Sequence, residues 1–216
     1  MHEQVIDAVI FDFGGVLLDI DYHATARALG ALIQPEVSGI FSQAQQSELF
    51  DALETGSISE EVFYQGLDAL AGRRVERSQW EAAWNAMLGG TRRERLDFVR
   101  EVSRQRRTFL LSNTNSIHKR AFDKTLAAVL GSAEGFDQLF EKAHYSHLLG
   151  LRKPHAEVFR ALITQHGLRP ERTLFIDDSV QHIKGAQALG LQTYHLQTEL
   201  LASDLPDILR VTNRPK

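Results

Sequence analysis

Two adjacent carboxylates, Asp177 and Asp178, are the most specific chemical feature of this sequence, and they directly follow the apolar residues Phe175-Ile176. Neighbouring carboxylates repel each other unless a cation is close to them. Magnesium is such a cation, because it prefers oxygen ligands and usually takes only a few from the protein. A helix N-cap would explain one of the two aspartates but not both. The pair therefore favours a divalent metal site.

A third carboxylate, Asp12, follows the apolar run Val9 to Phe11 and stands close to Gly14 and Gly15. Glycines add no side-chain bulk and tolerate unusual backbone dihedral angles, so a ligand can approach this carboxylate closely. A capping aspartate in a tight turn explains the same residues. The cluster alone leaves both interpretations open.

Two further groups are suited to binding an anion. Ser112 and Asn113 offer a hydroxyl and backbone amides for phosphate oxygens, although both residue types are frequent in ordinary turns. Lys153, just before Pro154, could offset the negative charge of Asp12 and of a bound phosphate. A lone lysine is more often a solvated surface charge.

Short apolar runs that predict strands place these residues at strand ends. The predicted strands are Val5 to Phe11, Thr108 to Leu111, Thr173 to Ile176 and Gln192 to Leu196. Helical patterns follow Pro154 as far as Gly167, and run from an N-cap at Ser179 to Gly190. Strands that alternate with helices imply a Rossmann-like, open parallel α/β sheet. Ligands bind such sheets at the carboxyl ends of the strands.

Residues 21–90 differ, because their apolar positions keep helical spacing without a convincing strand. These positions are Leu49, Phe50, Leu53, Val62, Phe63, Leu67 and Leu70. Breaks at 55–57 and 71–72 predict several short helices. We predict a small α-helical cap domain over residues 21–90 and a core domain formed by residues 1–20 and 91–216. The candidate substrate contacts of the predicted cap domain are Glu48, Glu54, Tyr64, Trp80 and Trp84.

The composition of the 216 residues is that of an ordinary globular protein, with 43% hydrophobic and 24% charged residues. The lack of cysteine excludes disulfides, thiolate zinc sites, iron–sulfur clusters and thiol nucleophiles. The apolar runs are too short to cross a bilayer, and the net charge of −4 gives no general attraction to nucleic acid or membrane. We expect a cytoplasmic protein that binds neither nucleic acid nor a membrane.

An arginine-rich stretch at residues 91–107 is the one place where a nucleic-acid site has to be considered. Glu94, Asp97 and Glu101 interleave with the arginines, and no aromatic residue is placed to stack on bases. The stretch is more typical of a helix with a solvated face whose apolar positions point to the core, namely Leu96, Val99 and Val102.

Four separated stretches together resemble the motifs of the haloacid dehalogenase superfamily of hydrolases. They are Phe11-Asp12-Phe13-Gly14-Gly15-Val16, Leu110-Leu111-Ser112-Asn113, Lys153-Pro154 and Phe175-Ile176-Asp177-Asp178. The resemblance spans nearly the whole chain and includes a helical insertion like that of the first cap class. Details such as Gly150-Leu151-Arg152-Lys153-Pro154 are most similar to the branch of sugar-phosphate phosphatases that includes α-D-glucose-1-phosphate phosphatase.

The resemblance implies a magnesium-dependent phosphatase that acts on a small phosphate monoester. Asp12 would be the nucleophile and would form an aspartyl-phosphate that water later hydrolyses. Ser112 and Asn113 would bind the phosphoryl oxygens, and Lys153 would stabilise their charge.

The resemblance also implies the ligands of the metal. Mg²⁺ would be held by the Asp12 carboxylate, the backbone carbonyl of Gly14 and Asp178. Asp177 would lie close by and orient a metal-bound water or Lys153. The expected partner is thus a small-molecule phosphate ester, and we expect the protein to be a monomer or a weak dimer.

One position departs from the phosphatase pattern, in which a second aspartate two residues after the nucleophile protonates the leaving group. Gly14 stands there in this chain. The loss of positioned acid catalysis costs roughly 10² to 10⁴ in rate, and costs less when the leaving group is more acidic. This departure supports sugar-1-phosphates as a hypothesis, with Asp19, Asp21 and His118 as substitute acids.

Two other functions fit the same departure. A 2-haloacid dehalogenase uses a strand-end aspartate without the second one, but it needs no metal, so Asp177 and Asp178 argue against it. A degenerate member that binds phosphate without turnover is the other alternative. Hydrolysis of an activated aryl phosphate would distinguish an enzyme from such a binding module.

Overall fold

A five-stranded parallel sheet forms the centre of the protein, in a computed structural model that describes residues 6–33, 48–131 and 134–200. The strands are β1 (Ala8–Phe11), β2 (Arg107–Ser112), β3 (Lys142–Tyr145), β4 (Thr173–Asp177) and β5 (Gln192–His195). Their spatial order is β3-β2-β1-β4-β5. The predicted open parallel α/β sheet is confirmed. Val5, where the first strand was predicted to begin, lies outside the described residues.

The strand β3 is the one that the sequence analysis does not predict. It lies at an edge of the sheet, where it pairs with β2 alone among the described strands. Its residues, Lys-Ala-His-Tyr, include only one aliphatic side chain and therefore lack the apolar run that marks the central strands.

Eleven elements of helix surround the sheet or extend from it in the described residues. They are α1 (Tyr22–Gly30), α2 (Glu48–Glu54), α3 (Glu60–Ala71), α4 (Arg77–Asn85), α5 (Arg93–Ser103), α6 (Ser116–Leu130), α7 (Glu134–Asp137), α8 (Ser146–Leu149), α9 (Ala156–His166), α10 (Val180–Gln187) and a 3-10 turn at Pro170–Arg172. Gly167 ends α9 in a left-handed conformation, as predicted. Ser179 is the N-cap residue of α10, as predicted, although its side chain makes no capping hydrogen bond.

Both faces of the sheet are buried, because side chains alternate along each strand. On β1, Val9 and Phe11 pack under α5 and α6, whereas Ala8 and Ile10 pack under α9 and α10. Burial on both sides explains why the central strands are continuous apolar runs. The parallel pairing of β1 with β2 and with β4 places the carboxyl ends of these three strands at one edge of the sheet.

The arginine-rich stretch contains α5, whose buried residues include the predicted Leu96, Val99 and Val102. Arg100 pairs with Asp97, and Arg104 pairs with Glu101, at the exposed surface of the helix. These contacts agree with the predicted solvated face. Exposed pairs of this kind contribute little to stability.

The helices α1 to α4 have a hydrophobic core of their own, with Phe50, Phe63 and Trp84 at its centre. The predicted breaks are present, since Gly56 and Gly72 both adopt positive φ. Val62 is 47% exposed, so its predicted place in this core is wrong. It lies one position away from Phe63, which occupies the buried face of α3.

Two short segments connect these four helices to the sheet, and they lie side by side. Asp19 and Asp21 exchange backbone hydrogen bonds with residues 87–90 of the returning segment. An isolated antiparallel bridge joins Ile20 to Leu88. Both predicted domain boundaries, at 20/21 and 90/91, fall in this pairing. Residues 201–216, predicted to belong to the core domain, lie outside the described residues.

In the ranges that the structure describes, every helix is too short or too polar to span a lipid bilayer.

Candidate active site

The ammonium group of Lys153 is the centre of the candidate site. Its Nζ lies 2.7 Å from Oδ1 of Asp12 and 2.8 Å from Oδ2 of Asp177. Asp12 follows β1 and Asp177 ends β4, so the neighbouring strands bring the two carboxylates together. All three side chains are almost completely buried. A lone lysine in a sequence is usually a solvated surface charge. Lys153 is instead buried and forms ion pairs with two carboxylates.

The three groups set one another's ionisation. Burial raises the pKa of Asp12 well above its usual range, and the charge of Asp177 raises it further, while Lys153 opposes both. Burial would also raise the pKa of Asp177, but Lys153 and His182 together outweigh burial and keep that pKa low. The two carboxylates in turn raise the pKa of Lys153, although burial opposes them. Lys153 is thus a permanent cation here.

The backbone of Lys153 is held by the side chain of Asn113. Oδ1 of Asn113 accepts from the Lys153 N–H, and Nδ2 donates to the Lys153 carbonyl, both at 2.9 Å. The predicted phosphate-binding role of Asn113 therefore rests on its backbone amide, because its side chain positions Lys153 instead. Ser112, the last residue of β2, is buried and lines the same cavity as Asp12.

A histidine that the sequence analysis does not name, His182, supports Asp177. Its Nδ1 lies 3.0 Å from both carboxylate oxygens of Asp177, and the Ser179 N–H donates to Oδ1 of the same group at 2.8 Å. Asp177 thus has three hydrogen-bond partners, namely Lys153, His182 and the Ser179 N–H. This carboxylate is therefore fully engaged by protein groups.

Asp178 points to the other side of the site, against Gly15. A Cβ atom added to Gly15 would lie 2.1 Å from Oδ2 of Asp178, and Gly15 has a φ of +76°. Both facts require glycine at this position. Burial and the charge of Asp177 raise the pKa of Asp178 to about 6, so its carboxylate lacks sufficient positive charge nearby.

The donor set fits a divalent cation beside Asp12 and Asp178. Three carboxylates share the one ammonium of Lys153 among the described residues of the site, which leaves an excess of negative charge. Asp12, Asp177 and His182 also have ligand atoms within 4.8 Å of one another. Between Asp12 and Asp177 the Lys153 ammonium already supplies a positive charge, at 2.7 and 2.8 Å from their carboxylate oxygens. Asp178 is not in that group of described residues, but its side chain and that of Asp12 line the same cavity.

A cavity of about 550 Å³ extends from these carboxylates toward α1 and α2. Tyr22 of α1 and Asp51 and Glu54 of α2 line it from the helical side, and Arg152 lines it from the sheet side. Burial and the charges of Asp12, Asp178 and Glu54 raise the pKa of Tyr22, which therefore remains a neutral phenol.

Of the five side chains named above as candidate substrate contacts, Glu54 alone lines this cavity. Trp80 donates its indole N–H to Asp68, and Tyr64 donates its hydroxyl to Glu81. Trp84 stacks on His118, and Glu48 is exposed. Helical spacing identifies buried positions, but it does not tell which of them face a neighbouring layer.

The three residues considered as substitute acids have other contacts. Asp21 caps α1 by accepting from the His23 and Ala24 N–H groups, and Asp19 pairs with Arg95 at 2.7 Å. Neither lines the cavity.

His118 does line the cavity, but both of its ring nitrogens are engaged, by Asn115 and by the Trp84 carbonyl. Burial lowers its pKa to about 4, so the ring is neutral. At Gly14, a Cβ atom would lie 3.1 Å from Cγ1 of Ile20. Ile20 thus restricts the space where the usual acid would stand.

Tyr22, Arg152 and His182 are the site residues that sequence reasoning missed. Arg152 belongs to a motif stretch, and its position next to Lys153 is the sequence feature that could have indicated a place in the site. His182 lies one helical turn after the aspartate pair, which places it near the strand end. Nothing in the sequence around Tyr22 distinguishes it from a structural aromatic residue.

Comparisons with known proteins identify the family of this chain and several of its relatives. A family model described as haloacid dehalogenase-like hydrolase matches residues 6–190. D-ribitol-5-phosphate phosphatase of Bacteroides thetaiotaomicron is 29% identical over 192 residues, which cover 88% of this chain and 91% of that protein.

Solved structures are similar over nearly the same extent. A haloacid dehalogenase family enzyme of Bacteroides thetaiotaomicron, crystallised as an aspartate-to-alanine variant with magnesium and inorganic phosphate, has a TM-score of 0.84 and 30% identity, covering 93% of this chain and 98% of that one. The L-2-haloacid dehalogenase of Xanthobacter autotrophicus has a TM-score of 0.57 at 18% identity, covers 93% of this chain and 81% of that one, and shares the fold.

Proposed function

The chain belongs to the haloacid dehalogenase-like hydrolases, and from that premise we propose that it is a Mg²⁺-dependent phosphatase of small, hydroxylated phosphate monoesters. The observation that carries the proposal is the contact of the Lys153 ammonium with both Asp12 and Asp177 at the carboxyl edge of the sheet. The phosphatase named among its relatives, and the magnesium and phosphate bound by another relative, support the same reaction.

In the proposed reaction, a carboxylate oxygen of Asp12 attacks phosphorus, and the bond from phosphorus to the ester oxygen breaks. The leaving oxygen takes up a proton from water, and the phosphoryl group stays on Asp12 as an aspartyl-phosphate. Water then attacks phosphorus, releases inorganic phosphate and restores the carboxylate. Ser112 and the Asn113 amide bind phosphoryl oxygens, while Lys153 balances their charge.

We assign the metal to Asp12, the backbone carbonyl of Gly14 and Asp178. Bound Mg²⁺ would neutralise charge on the phosphoryl oxygens and allow one anion to approach another. Asp177 is assigned to Lys153 rather than to the metal, because Lys153, His182 and the Ser179 N–H already engage its two oxygens. Asp177 then acts by positioning the lysine.

We also propose that α1 to α4 act as a cap domain, with its boundaries in the paired segments at 19–21 and 87–90. The cavity between these helices and the sheet supports this role, since it encloses the space above Asp12. A cap excludes water from the phosphoryl group and contacts the leaving group.

The identity of the leaving group can be tested with a panel of phosphate esters. Glucose-1-phosphate follows from the missing acid at Gly14, and D-ribitol-5-phosphate follows from the named relative. The panel would add glucose-6-phosphate and p-nitrophenyl phosphate, each assayed with Mg²⁺ and with EDTA. We expect hydrolysis only with Mg²⁺. Equal rates on the two glucose phosphates would contradict an anomeric leaving group, and halide release from 2-chloropropionate in EDTA would support a dehalogenase instead.

Replacing Gly15 with alanine should weaken Mg²⁺ binding, because the new Cβ would displace Asp178. We expect the Mg²⁺ concentration that gives half-maximal activity to rise by about ten-fold or more. Gly167→Ala is the matched control, since Gly167 also has positive φ but has no atom near its added Cβ. Both variants should lose roughly 1 kcal/mol of stability through the backbone. A Mg²⁺ titration unchanged in Gly15→Ala would place the metal elsewhere.

A further inference from the structure

A cluster of three charged side chains spans the cavity between α2 and the sheet. Arg152, next to Lys153, pairs through Nη1 with Oδ1 of Asp51 and through Nη2 with Oε2 of Glu54, the latter at 3.1 Å. Asp51 and Glu54 are three residues apart, so they lie on one face of α2. One arginine of the sheet side therefore bridges two carboxylates of the helical side.

Burying the Glu54 carboxylate at its position in α2 is unfavourable for the stability of the fold. Its side chain is 9% exposed, and it is the last residue of α2, where the helix dipole disfavours negative charge. The last turn of α2 contains no basic residue. Arg152, whose side chain is 17% exposed, supplies the compensating charge from across the cavity. Replacing such a buried pair with apolar residues is often neutral or stabilising, so stability does not explain its presence.

The cluster is close to the reacting groups but separate from them. Tyr22 lines the same cavity as Asp12, Asp178 and Glu54. Arg152 and His182 also line this cavity. A substrate whose phosphate reached Asp12 would extend its leaving group toward Glu54 and Arg152.

We propose that Glu54 and Arg152 select substrates whose leaving group carries hydroxyl groups, an inference that rests on the proposed phosphatase function. A hydroxyl both donates and accepts a hydrogen bond, and a carboxylate beside a guanidinium offers one acceptor and one donor. The carboxylate repels a second anionic group, and an apolar leaving group would exclude water from the pair without offering it a new hydrogen bond. The pair therefore acts in specificity, not in the phosphoryl transfer.

The test compares Glu54→Gln with wild type on D-ribitol-5-phosphate and on phenyl phosphate, which has no hydroxyl group. The quantity measured is the ratio of the two kcat/KM values with saturating Mg²⁺. We expect this ratio to fall by about ten-fold or more in Glu54→Gln, mainly through KM for the hydroxylated ester. Arg152→Lys, which keeps the charge but loses the two-armed guanidinium, should lower the ratio in the same direction.

Glu60→Gln is the matched control. Glu60 also joins the helices to the sheet side, through Ser116 and Arg120, but it does not line the cavity. It should leave the ratio within about two-fold of wild type, because it removes one ionic contact of the same kind without removing a hydroxyl partner.

A ratio that does not change in Glu54→Gln, or that falls equally in Glu60→Gln, would overturn the inference while leaving the phosphatase assignment intact. A wild-type protein that hydrolyses neither ester with Mg²⁺ would overturn both. A ratio that falls in Glu54→Gln and Arg152→Lys but not in Glu60→Gln supports the assignment. Thermal unfolding of each variant separates these outcomes from loss of the fold.

Discussion

Asp12→Asn is expected to abolish turnover of every phosphate ester, with a loss on the order of 10⁴ or more in kcat. The asparagine amide is not a nucleophile, so the aspartyl-phosphate cannot form. Its oxygen can still accept from Lys153 and from the Phe13 N–H, the two groups that contact Oδ1 of Asp12. The site should therefore keep its geometry while losing its chemistry.

The same variant should fold at least as stably as wild type when Mg²⁺ is absent. The raised pKa of Asp12 means that burial and Asp177 disfavour its charged form in the folded protein. Asparagine removes that charge, and Lys153 keeps Asp177 as a partner. Thermal unfolding in EDTA should thus show an unchanged or raised Tm, and a clear fall in Tm would contradict this account of the site's electrostatics.

The intermediate can be sought directly by acid quenching with a ³²P-labelled ester and measuring label on the protein. Wild type should retain label, and Asp12→Asn should not. Asp21→Asn is the matched control, because Asp21 is an exposed helix cap outside the cavity. Label on Asp12→Asn would move the nucleophile to another residue. A wild-type protein that binds phosphate but never turns over an aryl phosphate would be the degenerate binding module instead.

The sequence was sufficient for the sheet and for the meeting of its strand ends. Central parallel strands are buried on both faces, so they are apolar runs, and the polar residues that follow them must lie at one edge. Asp12, Ser112 and Asp177 could be placed in this way. The edge strand β3 could not, because one of its sides is not covered by another strand and its side chains are mostly polar.

The contacts between the helices α1 and α2 and the sheet could not be predicted from the sequence, for a different reason. Which residues of α1 and α2 face Asp12 depends on how the helices pack over the sheet, and hydrophobic spacing does not contain that orientation. Glu54 was one of five candidates, and Arg152 was only part of a motif. The second role of Asn113, which clamps the Lys153 backbone, likewise depends on a loop that returns 40 residues later.

Lys153→Met should lower kcat by about 10³ or more, since the variant loses the one cation of the described residues that contacts both Asp12 and Asp177. It should also lose about 3–5 kcal/mol of stability without Mg²⁺, because two buried carboxylates then face each other without the lysine charge between them. Lys184→Met, at an exposed position of α10, is the matched control and should change neither quantity appreciably.

The double variant Lys153→Met with Asp177→Asn separates the two effects of the lysine. Removing the charge of Asp177 should restore much of the lost stability, since the repulsion with Asp12 disappears, but it should not restore kcat, since the phosphoryl charge remains unbalanced. Denaturant unfolding in EDTA and kcat with Mg²⁺ measure the two quantities independently. If the stability of the double variant stayed as low as that of Lys153→Met, the charge of Asp177 would not be the source of the loss.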